Sequence, residues 1–492
     1  MKNVLEYLEQ SAKMYPDKIA VKDTACSYTY EQLQNKAKCI GVCLAKQTTP
    51  RHPVCVFADK SADTLAVFFG IVYAGCFYTL VDPSFPEARI QSMLSVLQPD
   101  VIVDGSDASE KLTACGYTEN VVRMETLTQG MDSECTGSDE NQLQQIRESM
   151  IDTDPLYCNF TSGSTGTPKG VLVAHRSVLE FIDRFTEIFD ITEADVIGNQ
   201  APFDFDVSVK DIYSAMKMGA TLVVIPKAYF MFPNSVVDML DENHVTTLIW
   251  AVSALCLLNR LHGLKHKVPA DINKILFSGE AMPIRQLHAW QSYYPDAMFV
   301  NLYGPTEITC NCTYHIVQSA DEVLQEVPIG RPFANCDVFL LDSGEPVREE
   351  GRTGEICVTG SCLSLGYYNR PQLSAQVFVQ NPLNSRFREP MYRTGDLGVW
   401  KNGSLLFVGR KDTQIKFMGH RIEMSEIELC ANAAEGVEAS ACVFSDERLT
   451  LFYTGEAEEK ALLARLRDRL PKYMLPSVCR RLERFPQNRT GK

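Results

Sequence analysis

The sequence predicts an α/β protein with largely parallel sheets, ending in a small α+β unit. Three observations carry this. Apolar runs of strand length alternate with amphipathic helical patterns, as in parallel sheets covered by helices. Several of these runs stop at small or turn residues, where such sheets place their ligand-binding loops. After about residue 410 the alternation gives way to a short helix–strand–strand–helix order.

Taken in order, "PVCVFA" reads as a strand feeding the amphipathic "SADTLAVFFGIVYAG". "DVIVDG" and "ATLVVIP" are buried strands, and "INKILFSG" and "AMFVNLYG" are strands ending in turn residues. The stretch 128–153 is polar and weakly periodic and reads as a surface excursion. Near the end, Ser425 and Glu428 stand at capping-box spacing, which predicts a helix starting there. "ASACVFSD" and "LTLFYTG" follow as strands and "EEKALLARLRDRL" as a helix.

The 492 residues exceed one compact core and leave room for two to four units. Hydrophobic residues make up 45% and charged residues 22%, the balance of a soluble globular chain. The net charge of -15 argues against non-specific nucleic-acid binding. No stretch is long and apolar enough to span a bilayer, and the charged N-terminal segment is no signal peptide. Seventeen scattered cysteines are expected to be reduced thiols in a cytoplasmic protein. Cys310 and Cys312 stand closer together than metal-site cysteines usually do, with no second cluster, so no metal site is expected there.

The densest chemical signal is "FTSGSTGTPKGV", residues 160–171. Its glycines permit tight turns, its hydroxyls and amides can wrap polyphosphate, and Lys169 adds a cation. It lacks the Gly-Lys-Ser/Thr spacing of a Walker A loop. A flexible Ser/Gly linker is the plain alternative, weakened by the direct run into the apolar "VLVAH".

With this loop stand "SYTYEQL", "VYAGCFYTLVDP", "NLYGPTE", "GEICVTGSCLSLGYYNRP", "YRTGDL", "GRKDTQIKFMGHRIEMSEIE", "LPKYMLP" and "NRTGK", in that order along nearly the whole chain. The set resembles the adenylate-forming superfamily, most closely the adenylation domains of non-ribosomal peptide synthetases, and is similar to D-alanine–carrier-protein ligases. The resemblance implies a core over 1–411 and a small mobile C-terminal lid over 412–492, hinged at Asp412. It implies ATP-dependent activation of an acid as its adenylate, with release of pyrophosphate, then transfer to the phosphopantetheine thiol of a carrier protein.

Residue by residue, it assigns the phosphates to Thr161, Ser162, Gly163, Ser164, Thr165 and Lys169. Tyr303 would stack on adenine, Gly304 would belong to the same cofactor site, Asp396 would accept the ribose hydroxyls, and Arg410 would approach the ribose or phosphate. Thr306 would lie by the α-phosphate, Glu307 would take Mg²⁺, and Lys492 would act in adenylation. Gly419 would border the thiol path. Relatives continue beyond this lysine, so the chain is expected to be trimmed there or to end in an ordered part.

The stretch "APFDFDVSVKDIY" bears on the substrate. The resemblance places Phe205 and Asp206 at the substrate, with Asp206 holding an α-ammonium. A buried cationic group needs such a partner, whereas acyl- and aryl-CoA ligases do not. Asp206 could instead cap the following helix. By the same resemblance, Val207, Lys210, Ser253, Leu276, Ser278, Leu302, Cys310 and Asn311 line the side-chain pocket. Three readings of Lys210 stay open: pairing with an acidic or carbonyl-bearing substrate, snorkelling to solvent, or a salt bridge to Asp206 one turn away. Rival readings of the chain are a stand-alone D-alanine–carrier ligase, an acyl- or aryl-CoA ligase, and an inactive adenylate-binding scaffold.

Overall fold

The computed structural model describes residues 1–128, 137–163, 166–318 and 326–485. Two parallel-rich sheets form the core. In the seven-stranded sheet, Val121–Arg123, Val101–Asp104, Pro53–Phe57, Phe77–Val81 and Pro155–Thr161 run parallel, and Lys169–Ala174 and Gly366–Tyr367 close one edge antiparallel. The nine-stranded sheet has a parallel centre, from Met298–Tyr303 through Lys274–Ser278 and Thr247–Ala251 to Val196–Asn199 and Thr221–Val224. Central strands such as Pro53–Phe57 and Phe77–Val81 are buried at every position, the mark of sheets covered on both faces.

The largest apolar cluster unites both sheets through the helices Leu5–Met14, Tyr30–Ala45, Ala62–Tyr73, His175–Ile188 and Val207–Met218. Helix starts follow local chemistry. The Ser61 hydroxyl accepts the Thr64 amide, and Thr29 with Gln32 closes a capping box inside "TYEQL". A third, antiparallel sheet contains Cys336–Asp342, Thr353–Gly360, Pro390–Lys401 and Ser404–Arg410.

The smaller C-terminal part begins with the hairpin Gln414–Phe417/His420–Glu423. It adds the helix Met424–Asn432, the strands Val437–Ser445, Arg448–Gly455 and Val478–Arg481, and the helix Glu459–Arg469. It has an apolar cluster of its own, built around Ile422, Ile427, Leu451 and Leu466. Met418 and Gly419, the two turn residues of the hairpin, both have positive φ (53° and 79°). That is the turn whose twist matches paired strands, and the glycine suits it.

Two expectations need correction. The helix near 425 exists, but its N-cap position is Glu423 without a side-chain cap. The Glu428 carboxylate accepts the Cys442 amide at 2.8 Å instead of closing a capping box. The segment 128–153 is more than a surface excursion. Its helix Gly137–Ser149 docks through Leu143 and Ile146 onto the main core, because those apolar residues sit three apart on one face.

Candidate functional site

The strands on either side of the glycine-rich stretch pair antiparallel, with Thr161 opposite Lys169. A Cβ at Gly163 would fall 2.0 Å from the Thr167 carbonyl oxygen, so only glycine fits that curl. Ser164 and Thr165 lie outside the described residues. Among the described residues the buried Thr161 Oγ1 has no partner, and such an orphan calls for a ligand oxygen. Lys169 is buried, 3.6 Å from Glu423 and 5.4 Å from the Tyr367 ring. Burial and the nearby Arg421 push its ammonium down, against the pull of Glu307 and Glu423.

Glu307 stands on the short turn Thr306–Ile308 just past the strand Met298–Tyr303. It is fully buried; Arg421 Nη1 donates to Oε2 at 2.7 Å and the Tyr367 hydroxyl to Oε1 at 2.7 Å. Burial alone would raise its pKa, but Arg421 and Lys169 outweigh it and hold the carboxyl at about 2. A carboxylate so firmly ionised fits a divalent cation that shares phosphate oxygens. At Gly304 a Cβ would lie 2.6 Å from the Cys310 carbonyl oxygen, so the chain crossing there requires glycine.

Asp396 and Arg410 face each other across paired strands, and the guanidinium binds Asp396 Oδ1. Tyr303 donates its hydroxyl to Asp396 Oδ2 at 2.6 Å. Arg410 also grips Asp412, at 2.7 Å and 2.8 Å, and so ties the expected ribose carboxylate to the expected hinge. The Tyr303 ring, Gly279–Met282 and Ile329 border a cavity of about 320 Å³, a size that suits a planar base. The ammonium of Lys416 lies 5.3 Å from that ring.

A second cavity of about 110 Å³ brings Phe205, Asp206, Val207, Lys210, Ser278, Cys310 and Asn311 together with Thr161, Ser162, Thr306, Asp396 and Arg410. Asp206 holds the N-cap position of Val207–Met218 but makes no side-chain cap bond, so the capping alternative fails. Its carboxyl is raised by burial, against the cation of Lys210 and a hydrogen bond with Thr306.

Leu276 and Leu302 do not line this cavity; both are buried in the main core, two residues before the cavity-lining Ser278 and Gly304, and Leu302 borders the larger cavity instead. Ser253 is also absent from its lining and sits beside Gly419, 3.4 Å from where a Cβ there would stand. Lys210 neither snorkels nor pairs with Asp206. It is 1% exposed, and its ammonium donates to Asn311 Oδ1 at 2.9 Å and Ser278 Oγ at 3.2 Å. Cys310 and Cys312 point apart: Cys310 Sγ donates to the Asp206 carbonyl at 3.1 Å, while Cys312 packs with Tyr303 and Ile308.

The C-terminal part docks its hairpin into this cleft. Ser162 Oγ donates to the Arg421 carbonyl at 2.7 Å, and the Gly163 amide to Glu426 at 3.3 Å. Glu426 also binds the buried Arg89. The Gly419 amide donates to Glu280 at 2.7 Å. Residues of the expected phosphate and metal sites are thus occupied by groups of the C-terminal part. Sequence reasoning missed Lys416, Arg421, Glu426 and the Gly279–Met282 wall. One signal was available: Lys416 and Arg421 pair across the hairpin and therefore share a face. Lys492 lies outside the described residues.

A glycine-rich loop, a buried carboxylate and the small C-terminal part converge on one cleft, and the fold is that of the adenylate-forming class. A family model described as AMP-binding enzyme matches residues 8–368, and the chain belongs to this family. It is 31% identical to zwittermicin A synthase ZmaJ of Bacillus cereus, over 99% of this chain and 93% of that protein. It is 32% identical to bacitracin synthase 1 of Bacillus licheniformis over 100% of this chain, but spans only 9% of that protein. Among solved structures, IdnL1 matches at 27% identity and TM-score 0.84, with 99% of each chain covered. A Vibrio cholerae adenylation domain, AlmE in complex with glycyl-adenosine-5'-phosphate, shares the fold at TM-score 0.86 and 22% identity, over 100% of this chain and 96% of that one. Within the family the chain is of the non-ribosomal-peptide-synthetase adenylation-domain type. No helix among the described residues is long and apolar enough to cross a membrane.

Proposed function

We propose that this chain activates an amino acid as its aminoacyl-adenylate and passes it to the phosphopantetheine thiol of a carrier protein. The observation that carries this is Asp206: a buried carboxylate that lines the cavity beside Thr306, with no helix-capping duty. An α-ammonium entering that cavity needs such a partner, and an acyl- or aryl-CoA ligase does not. The substrate carboxylate would then face Thr306, and the triphosphate would lie along Thr161, Ser162 and Lys169. Mg²⁺, held by Glu307 in place of Arg421, would offset charge on the phosphates when bound.

The docked hairpin and ATP·Mg²⁺ compete for the same groups. We read the present arrangement as that of thiol transfer, with Gly419 beside the thiol path, and adenylation as requiring rotation about Asp412. A few backbone torsions suffice for such a movement. The D-alanine–carrier ligase stays as the second reading, since the cavity of about 110 Å³ is small; Lys210 in its lining fits that substrate poorly.

Two experiments check the reading. ATP with Mg²⁺ is expected to raise the melting temperature, by mass action on the folded state, and at least one amino acid or D-alanine is expected to support ATP–pyrophosphate exchange. Silence across the twenty amino acids and D-alanine would overturn it. Asp412→Pro is expected to slow one half reaction about tenfold more than the other, because it restricts one torsion of the hinge. Equal loss in exchange and in carrier loading would remove Asp412 from the hinge.

A further inference from the structure

Lys210 is a buried cation whose partners are neutral. Its ammonium has three donors, and only Asn311 Oδ1 at 2.9 Å and Ser278 Oγ at 3.2 Å accept them. Among the described residues no carboxylate lies within the 4.0 Å of an ion pair. Asp211, next along the helix, accepts from Asn199 Nδ2 at 2.6 Å. Burial pushes its carboxyl up to about 7, so at neutral pH it is only a partial counter-charge. Burial likewise lowers the Lys210 ammonium. Cys310, Asp206 and Asp211 pull the other way, but none of the carboxylates forms an ion pair with it. A buried ammonium without a direct ion pair is costly, and a ligand carboxylate that meets it supplies that contact.

The surrounding groups point the same way. Lysine only donates, so Asn311 must turn its oxygen toward it and keeps its NH₂ as a donor. Ser278, accepting from Lys210, keeps its O–H to donate. Lys210, Ser278 and Asn311 all line the cavity that Asp206 also lines. The cavity therefore has a negative end at Asp206 and a positive, donor-rich end at Lys210. The two residues stand one helical turn apart, about 5–6 Å along the axis.

Building on the amino-acid reading above, we propose that the substrate is a short amino dicarboxylic acid, of aspartate or glutamate length, with its ammonium on Asp206 and its side-chain carboxylate on Lys210. The same floor selects against cationic side chains by repulsion and against apolar ones by leaving the lysine unpaired.

The test is ATP–pyrophosphate exchange by the full chain with aspartate, glutamate, asparagine, glutamine, serine, leucine and lysine, in both stereochemical forms. A dicarboxylic acid is expected to exceed its own amide by about tenfold or more in kcat/KM, as for a charge-assisted bond over a neutral one. An amide, serine, leucine or lysine as the best substrate overturns the proposal and leaves amino-acid activation standing. Silence with every amino acid overturns both. In Lys210→Met, which keeps the side-chain volume, the advantage of acid over amide is expected to vanish, a fall of about tenfold or more. An undiminished advantage in a variant that retains its ATP-induced thermal shift overturns the proposal. The wild-type comparison does not depend on that variant's folding.

Discussion

Asp206→Ala is expected to lower amino-acid-dependent exchange by about a hundredfold to several thousandfold while leaving ATP binding intact. The size follows from the penalty of about 3–5 kcal/mol for a buried charge stripped of its partner, at about 1.4 kcal/mol per tenfold. The loss should fall on kcat/KM for the amino acid, since the ammonium is held from the ground state onward. The start of the helix Val207–Met218 does not depend on the Asp206 side chain, which makes no cap bond, and the ATP-induced thermal shift reports whether the variant is folded. Asp206→Asn should lose nearly as much, since it keeps the shape and removes only the charge. The checks are exchange kinetics and the ATP-induced thermal shift. Activity within about threefold of the wild type, too small to reflect a lost charge pair, would remove Asp206 from the substrate site and reopen the carboxylic-acid-only readings.

Lys492→Ala is expected to slow adenylation by about a hundredfold to a thousandfold, the range for losing one donor aimed at transition-state charge. Transfer from preformed adenylate to the carrier thiol should change by no more than about twofold, because that step forms no new charge on the α-phosphate. The cations of the docked hairpin are already engaged: Arg421 binds Glu307 and Lys416 lies by the Tyr303 ring. In the present arrangement they serve the closed cleft, so adenylation needs a cation from elsewhere. Single-turnover measurements of each half reaction decide it. Equal loss in both steps would assign Lys492 a role in folding or docking.

Much of the fold was legible because its signals are local. The strand runs and their alternation with helices each follow from hydrophobic period within a few residues. The order of the motifs also named the groups that line the cleft, from Thr161 to Arg410. The capping box at Ser425 and Glu428 misled because a matching spacing does not say whether a nearby strand will claim the carboxylate, as Cys442 does. Leu276 and Leu302 were assigned to the pocket because residue type alone does not reveal which layer of a strand a side chain enters.

What the sequence determined by itself is therefore the α/β alternation, the small α+β end and the inventory of reactive groups. What only the tertiary structure decided is how those groups are paired. Arg421 meets Glu307 across 114 positions and Lys210 meets Asn311 across 101. Whether Lys210 reaches water, binds Asp206 or waits on neutral partners depends on packing by strands far apart in the chain. Burial makes each such pairing energetically decisive, and burial is a property of the assembled fold.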